Sequence, residues 1–380
     1  MSKKVYVGMS GGVDSSVTAA LLKQQGYDVT GVYMKNWSQD LPGMQCPWKQ
    51  DYQDAKRVAV QLGIPFKMYD FETQYRDKVV GYMIAEYKAG RTPNPDIMCN
   101  QEVKFKLFLE TALEDGADMI ATGHYACIVR VPSTAPPTRH PREGGDPVQK
   151  DKEVLVALPS LRAELHAGID PNKDQSYFLC RVTEDALRKS LMPIGEYEKP
   201  KVRELARSFG LATAEKKDSQ GICFVGKVGI KDFLSQYVTT QPGRIVDQHG
   251  KDVGEHEGAI FYTIGQRQGL GVGGGLPYYV VGKNMDKNQV YVTSDLQDPK
   301  LWSNELTLAN VHWINEPPQK DATYTVRTRY RAPALAINRM FPLENGTFRV
   351  TLQEDVRALT PGQSAVLYEN DRLVGAGTVV

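Results

Sequence analysis

The pattern of apolar and polar positions in the amino-terminal third of the chain alternates between two kinds of segment. Short apolar runs predict buried strands, and longer segments with apolar residues every three or four positions predict helices. The predicted strands are residues 4–8, 28–34, 65–70 and 117–123, and the predicted helices are residues 13–25, 51–63, 73–88 and 100–114. Strands alternating with helices are typical of a parallel, doubly wound sheet, which binds ligands at the edge where its strands end.

After Gly123 the pattern changes. Residues 127–131 and 154–158 predict the two strands of a hairpin. Residues 132–152 between them are rich in proline, glycine and charge, which predicts a flexible surface insertion rather than part of a core. Two further helices are predicted at residues 183–189 and 199–209. The basic residues at the start of the second of these helices predict a solvated surface; they are Lys199, Lys201 and Arg203.

The last part of the chain favours β-structure. Beyond Lys217 it is rich in glycine and short strands, and from Asn304 it alternates almost throughout. The predicted fold is therefore multidomain α/β, with a Rossmann-like parallel sheet followed by a β-rich central domain and a C-terminal β-barrel. The predicted domains are residues 1–215, 216–302 and 303–380.

A glycine–serine loop, GMSGGVDSS, joins the first predicted strand to the first helix. Glycines allow a tight turn that points several N–H groups at one place, and the helix dipole adds to them, so the loop predicts an anion cradle. It lacks the lysine of a Walker P-loop but resembles the SGGxDS signature of PP-loop pyrophosphatases, which adenylate a carbonyl oxygen with ATP. The candidate ATP-binding residues are Gly8, Met9, Ser10, Gly11, Gly12, Val13, Asp14 and Ser15, with Met34 and Gly123 at neighbouring strand ends. Asp14 is also a candidate to help hold Mg²⁺ against the phosphates.

Two of the five cysteines have chemically suggestive surroundings. Cys99 follows a segment with two prolines, so we expect it at a helix N-terminus, where the dipole favours the thiolate. Cys223 lies in a glycine-containing loop after Lys216 and Lys217. The residues alone leave both a reactive and an inert thiol possible at these two positions. We expect the thiols of the other three cysteines to be buried and inert; these are Cys46, Cys127 and Cys180.

The composition limits the kinds of partner, metal site and compartment to be expected. The 380 residues carry a net charge of +1, so a nucleic-acid surface would have to be a local patch. The sequence contains no CxxC pair, so a structural metal site is not predicted. No apolar run is long enough to predict a membrane span. The first residues enter a strand pattern without a signal-peptide core, so we expect a cytoplasmic protein.

Seven motifs occur in an order that resembles tRNA-specific 2-thiouridylases of the MnmA type. They are GMSGGVDSS, NPDIMCN, ATGHYA, NKDQSYFL, DSQGICF, TIGQRQGLG and PGQSAV. The resemblance spans nearly the whole chain and departs from the family at residues 132–152. It implies that ATP adenylates the C2 oxygen of the wobble uridine in tRNAs of the glutamate, glutamine and lysine type.

The resemblance also assigns the cysteines. Cys223 would carry sulfur as a persulfide, Cys99 would be the catalytic partner, and a transient Cys99–Cys223 disulfide would remain after sulfur transfer. It implies a monomer with a sulfur-donor protein, either a relay protein or a cysteine desulfurase. The matching contacts to the tRNA and its target base are Asn94, Pro95, Asp96, His124, Lys173, Asp174, Gln175, Arg329, Tyr330 and Gln363.

Independently of the resemblance, strand alternation would place Arg327, Arg329 and Arg331 on one face, which favours a polyanion partner. Two other functions remain open. One is an ATP-dependent amidotransferase or lysidine-forming ligase, which would not need Cys99 and Cys223. The other is an RNA-binding protein without catalysis, which the intact glycine–serine loop disfavours.

Overall fold

The structure is a computed structural model of the chain and describes residues 2–40, 45–132, 161–217, 229–273, 275 and 277–380. Its strands, in chain order, are β1 Lys4–Gly8, β2 Asp28–Lys35, β3 Phe66–Asp70, β4 Met119–Ala121, β5 Ala126–Pro132, β6 Leu161–Ala167, β7 Ser190–Leu191, β8 Gly243–Val246, β9 Asp252–His256, β10 Tyr279–Asn284, β11 Gln289–Thr293, β12 Trp302–Trp313, β13 Thr325–Arg327, β14 Leu335–Pro342, β15 Phe348–Arg357, β16 Ser364–Glu369 and β17 Arg372–Val379. Within this part of the chain, no helix has the length and apolar character that crossing a membrane requires.

The α-helices are α1 Val13–Gln24, α2 Trp48–Leu62, α3 Glu72–Tyr75, α4 Gly81–Lys88, α5 Pro95–Cys99, α6 Phe108–Glu114, α7 Glu184–Arg188, α8 Lys199–Ser208 and α9 Ile230–Leu234. Two π-helical segments, Arg76–Val80 and Asn100–Leu107, connect α3 to α4 and α5 to α6 without a break. Short 3₁₀ turns occur at Ser176–Leu179, Pro193–Glu196, Ala259–Phe261 and Pro299–Leu301.

A five-stranded parallel sheet organises the first part of the chain, which confirms the predicted fold class. Its strand order is β3-β2-β1-β4-β7. The chain moves outward from β1 to β3 on one side and then returns to β4 on the other side of β1. The direction of winding therefore changes between β1 and β4, and a crevice at such a point is where open α/β sheets bind ligands.

Side chains of β1 alternate between two cores because successive residues of a strand face opposite sides. Val5 and Val7 pack with α1, α2 and α8 on one face. Tyr6 packs on the other face, in a core that includes Tyr75, Met83 and Phe108. Both faces of the sheet are covered, which explains the continuous apolar run in β1.

The C-terminal region is a closed barrel of six strands, as predicted. Its order is β12-β15-β14-β13-β16-β17, and pairing between β12 and β17 closes it. The central region forms a separate four-stranded sheet of order β10-β11-β8-β9. The sequence also predicted this β-rich central region.

The hairpin after Gly123 differs from the prediction in its second strand. The partner of β5 is β6, whereas residues 154–158 and most of the predicted insertion at 132–152 lie outside the described residues. The far side of β6 pairs with β17, where Leu165 lies opposite Leu373. This pairing joins the hairpin to the barrel in one sheet, so backbone hydrogen bonds hold the barrel to the first domain.

Candidate functional site

The glycine–serine loop lies at the carboxyl end of β1, in the crevice between β1 and β4. Gly11 has a φ of +74°, and a Cβ atom there would lie 2.3 Å from the backbone oxygen of Asp51. Both features require glycine. The Ser10 N–H donates to Ser15 Oγ over 3.1 Å, and the Ser16 hydroxyl donates to the Gly12 oxygen over 2.7 Å. The loop is therefore folded back on the start of α1, as an anion cradle requires.

Two further glycines let neighbouring segments approach this loop. A Cβ on Gly123 would lie 2.7 Å from the backbone nitrogen of Ser15, so the segment after β4 touches the first turn of α1. A Cβ on Gly8 would lie 2.9 Å from Met34 Cε, so Met34 covers the end of β1. The structure thus brings Gly8, Met34 and Gly123 together around the loop.

Asp14 is held by two side chains that the sequence did not connect with it. Lys199 Nζ lies 2.7 Å from Asp14 Oδ1 and 2.9 Å from Oδ2, and the Tyr125 hydroxyl donates to Oδ1 over 2.7 Å. The prediction that Lys199 is solvated is wrong, since its residue is only 8% exposed. The packing of α8 against α1 explains the difference, because it turns the start of α8 toward the cradle.

Mg²⁺ commonly binds through one or two carboxylates together with substrate phosphates. Asp14 offers one carboxylate at the cradle, so the residues present fit such an ion, although Asp14 would share its oxygens between Lys199 and the metal. The described residues contain no cluster of three or more His, Cys, Asp or Glu side chains suited to a metal.

Cys99 does not begin a helix, contrary to the prediction. Asn94 caps the helix with its side-chain oxygen, which accepts from the N–H groups of Asp96 and Ile97, and Pro95 occupies the first turn. Proline is favoured there because the N–H it lacks would have no partner within the helix. Cys99 is therefore one turn inside the helix and 2% exposed. Any effect of the helix dipole on its thiol is correspondingly weaker.

The helical segment that continues from Cys99 packs against the end of β1 and against His124. Phe108 lies 3.5 Å from the position of a Cβ on Gly8, and the Phe105 ring centroid lies 5.7 Å from that of His124. The π-helical segment from Asn100 makes this helix locally irregular between Cys99 and the two phenylalanines. Such segments are frequent at functional sites.

Cys223 lies outside the described residues. The chain just before that segment is anchored beside the cradle, because Lys216 Nζ lies 2.8 Å from both Asp51 Oδ1 and Asp54 Oδ2. Arg203 donates to the backbone oxygens of Ala214 and Lys216. Asp51 is also the residue whose backbone oxygen touches Gly11, so one turn of α2 contacts both segments.

Burial perturbs two of the predicted base-contacting groups. It raises the pKa of Asp96, an effect that Lys104 partly opposes. The pKa of His124 lies well below its usual 6.5 because the ring is buried, and the charge of Lys104 adds to this. The lowered pKa keeps the ring neutral at neutral pH. His124 Nδ1 lies 2.8 Å from Thr122 Oγ1, and this contact fixes the orientation of the ring.

His124 predicts a pH dependence of stability. Because the folded pKa is depressed, protonation favours the unfolded chain, and stability falls as pH drops below the usual value of 6.5. The slope from this group approaches about 1.4 kcal/mol per pH unit. We expect the melting temperature of His124→Gln to depend less on pH between 7.5 and 5 than that of the wild type. Equal slopes in the two proteins would contradict the assignment.

The segment Lys173 to Gln175 is tied to the first domain rather than left free for a ligand. Asp174 Oδ1 accepts from the N–H groups of Gly168 and Ser176. The Gln175 side-chain oxygen accepts from the Tyr125 backbone N–H over 3.0 Å, and the Gln175 backbone N–H donates to the Tyr125 backbone oxygen. Lys173 is the residue of this segment whose side chain carries the positive charge that suits a phosphate.

Three arginines on one strand face were predicted, and this is wrong. Strand β13 ends at Arg327, so alternation does not extend to Arg329 and Arg331. Arg327 lies 2.9 Å from the buried Asp174, and Arg329 donates to the backbone oxygens of Ile264 and Ala358. Internal acceptors, rather than a polyanion, compensate these two charges.

The Arg327–Asp174 pair predicts a stability effect. Its carboxylate side chain is 4% exposed and its guanidinium 31% exposed. Removing the partner of a buried charge destabilises by roughly 3–5 kcal/mol, and the partial exposure of Arg327 reduces this to about 2 kcal/mol. We expect Arg327→Met to lower the melting temperature by several degrees. Arg331→Met, at an exposed position, is the matched control, and equal shifts in both would contradict the role of the pair.

The three parts of the chain meet at Thr92, two residues before Asn94. Its N–H donates to the Pro361 oxygen, its own oxygen accepts from Gln363 Nε2 over 2.8 Å, and its hydroxyl lies 3.2 Å from that of Thr263. Gln363 therefore fixes the approach to the segment predicted to contact the target base. Tyr330 packs its ring 4.3 Å from that of Phe178, measured between centroids.

Comparison with known proteins covers all three regions. Residues 3–227 match the family model of the tRNA methyl transferase HUP domain, residues 231–294 its PRC-barrel domain, and residues 303–379 the aminomethyltransferase beta-barrel domain. The chain is 46% identical over 99% of its length to the tRNA-specific 2-thiouridylase MnmA of Bacillus subtilis (strain 168), of which 94% is covered. The relative from Lacticaseibacillus paracasei gives the same three values, and that from Bacillus anthracis is 44% identical with the same coverage. The chain belongs to this 2-thiouridylase family.

The sequence did not identify the residues whose side chains hold the acidic residues Asp14 and Asp174 in place. Tyr125 stands inside the ATGHYA motif, so the motif contained a signal for it. Lys199 and Arg327 had none, because a basic residue at a helix start or at the end of a strand usually faces solvent. Their acidic partners lie 185 and 153 positions away, and only the fold brings them together.

Proposed function

We propose that this protein is a tRNA-uridine 2-sulfurtransferase that uses ATP to replace the C2 oxygen of the wobble uridine with sulfur. The observation that supports this most directly is the glycine–serine loop, folded back on α1 at the carboxyl end of β1, with the helical segment that continues from Cys99 packed against that strand end. A uridine carbonyl is a poor electrophile, so the reaction needs both a nucleotide site and a sulfur nucleophile. Family membership supports the same substrate.

In this proposal, residues 1–215 bind ATP and the target base, residues 216–302 carry Cys223, and residues 303–380 contact tRNA. The nucleotide phosphates would bind the loop from Gly8 to Ser15, with Met34 and Gly123 bordering the nucleotide. The serine hydroxyls and the first N–H groups of α1 are donors suited to phosphate oxygens. Mg²⁺ bound at Asp14 would neutralise phosphate charge.

The chemistry would proceed in two stages. The uridine O2 attacks the α-phosphorus of ATP, and pyrophosphate leaves. The terminal sulfur of a Cys223 persulfide then attacks C2, and AMP leaves with the former O2 oxygen. The Cys99 thiolate attacks Cys223 Sγ, which releases 2-thiouridine and leaves a Cys99–Cys223 disulfide for an external reductant. Sulfide released from the persulfide is an equivalent nucleophile for the second stage.

The target base would leave the anticodon stack to reach this site. Asn94 and Pro95 would act by shaping the helix start, and Asp96 and His124 would face the base. Further tRNA contacts would come from Lys173 and from the segments around Asp174, Gln175, Arg329, Tyr330 and Gln363. Because several of these side chains already have internal partners, we propose that they act mainly by holding the RNA-facing backbone.

The partners in this proposal are tRNA and a sulfur-donor protein, either a relay protein or a cysteine desulfurase. We further propose a monomer working in the cytoplasm, on tRNAs of the glutamate, glutamine and lysine type.

The test is mass spectrometry of nucleosides from unmodified tRNA incubated with the protein, ATP, Mg²⁺ and a sulfane-sulfur donor able to load Cys223 as a persulfide. We expect 2-thiouridine and stoichiometric AMP. A matched reaction with a non-hydrolysable α,β-methylene ATP analogue should give none. Pyrophosphate release without 2-thiouridine would indicate a ligase or amidotransferase instead, and tRNA binding without pyrophosphate release would indicate a non-catalytic RNA-binding protein.

A further inference from the structure

The cradle contains a charge conflict. Asp14 is the one charged residue among residues 8–15, and it lies in the first turn of α1. A carboxylate beside bound phosphates repels them. Two like charges about 4 Å apart repel each other about fourfold more strongly at the lower dielectric near a protein surface than in water. A polyphosphate site built on this loop therefore needs a compensating cation.

Lys199 supplies that cation in a fixed position. Its Nζ contacts both Asp14 oxygens, and its side chain is 10% exposed against 30% for Asp14. The Lys199 N–H donates to Asp170 Oδ2 over 3.0 Å, which fixes the start of α8. Its Nζ also lies 5.6 Å from the centroid of the Tyr125 ring. The ammonium is therefore held by contacts on several sides.

Tyr125 extends this arrangement beyond the cradle. Its hydroxyl holds Asp14, while its backbone exchanges hydrogen bonds with Gln175. The carboxylate is thus oriented by two elements that are distant in sequence, and its direction does not depend on the loop alone.

We propose that Lys199 is a positioning residue of the nucleotide site, which holds Asp14 and cancels its charge so that the cradle accepts a polyphosphate. The inference rests on the proposed function only in taking a nucleotide as the ligand of the cradle. It concerns the charge of the Asp14–Lys199 pair, not a direct contact between Lys199 and the ligand.

The experiment measures the Kd of ATP by isothermal titration calorimetry in EDTA, so that no metal screens the phosphates. We expect Lys199→Met to raise the Kd about tenfold or more, because Asp14 is then uncompensated. The double variant Asp14→Asn/Lys199→Met removes both charges, and its Kd should return to within about threefold of the wild type. Lys201→Met, an exposed lysine of the same helix, is the matched control and should not change the Kd.

A single variant gives a second test that does not depend on the stability of Lys199→Met. Asp14→Asn leaves Lys199 without its acid, so ATP should bind at least as tightly as to the wild type in EDTA. Weaker binding by Asp14→Asn, or a double variant as weak as Lys199→Met, would overturn the inference. If the wild type binds ATP and the Kd of Lys199→Met is the same, the inference about Lys199 is overturned while the proposed function stays intact. A wild type that binds ATP neither in EDTA nor with Mg²⁺ would overturn both.

Discussion

Replacing Cys99 or Cys223 with serine is expected to abolish 2-thiouridine formation while pyrophosphate release continues. The cradle that would hold ATP contains neither cysteine, so adenylation should survive the loss of a thiol. Removal of a nucleophile that acts within a catalytic unit commonly lowers turnover by about three orders of magnitude or more. The measurement pairs nucleoside mass spectrometry with a pyrophosphate assay on the same reactions.

The chain provides matched controls for this test. Burial raises the pKa of Cys180 to about 12 and that of Cys127 to about 11, so both thiols are protonated at neutral pH. We expect Cys127→Ser to keep its thiolation activity, and Cys180→Ala to change stability rather than sulfur transfer. Full 2-thiouridine formation by Cys99→Ser or Cys223→Ser would exclude the proposed role of the two thiols in sulfur transfer.

The burial of Cys99 gives this experiment a structural counterpart. A residue that is 2% exposed cannot meet both a nucleotide-activated base and a second cysteine without local movement. The adjacent Asn100 also has a buried side-chain oxygen that accepts no hydrogen bond from the described residues, whereas its nitrogen donates to the Phe178 oxygen over 2.9 Å. A buried acceptor left without a donor is costly, which favours movement at this turn of the helix.

The sequence predicted the elements of the first domain well because their signals are local. The apolar run of β1, the periodicity of α1 and the glycine loop between them depend only on neighbouring residues. The change to glycine-rich and alternating segments after Lys217 then predicted the β-rich central region and the C-terminal barrel. The start of the Cys99 helix was predicted wrongly because proline was taken as a barrier, whereas Pro95 occupies a position where proline is favoured.

The errors at the site involve long-range partners. The contacts of Lys199 with Asp14 and of Arg327 with Asp174 depend on how α8 and β13 pack, which no local pattern encodes. Arg329 is similar, since burial lowers its pKa and its partners are backbone oxygens of the central domain and the barrel. Charge patterning alone assigned all of these side chains to solvent or RNA.

Replacing Gly11 with alanine is expected to weaken nucleotide binding strongly and to lower stability, because two penalties coincide there. A φ of +74° costs an L-residue roughly 1–2 kcal/mol. In addition, the new Cβ would lie 2.3 Å from the Asp51 oxygen, so the loop or α2 must shift. Such overpacking typically costs about 1–3 kcal/mol. We expect ATP affinity to fall by about a hundredfold and the melting temperature by several degrees.

Two other glycines separate the contributions to this effect. Gly12 is extended, with a φ of −93° and a ψ of 168°, and its Cβ would lie 3.4 Å from Ser10 Oγ, so Gly12→Ala should leave the melting temperature unchanged. Gly26 has a φ of +86° and nothing within 4 Å, so Gly26→Ala should show the backbone cost alone and bind ATP normally. If Gly11→Ala melts like Gly26→Ala and still binds ATP, the close approach of Asp51 does not shape the cradle. A stability loss larger than that of Gly26→Ala, together with lost binding, would instead assign the shape of the cradle to that contact.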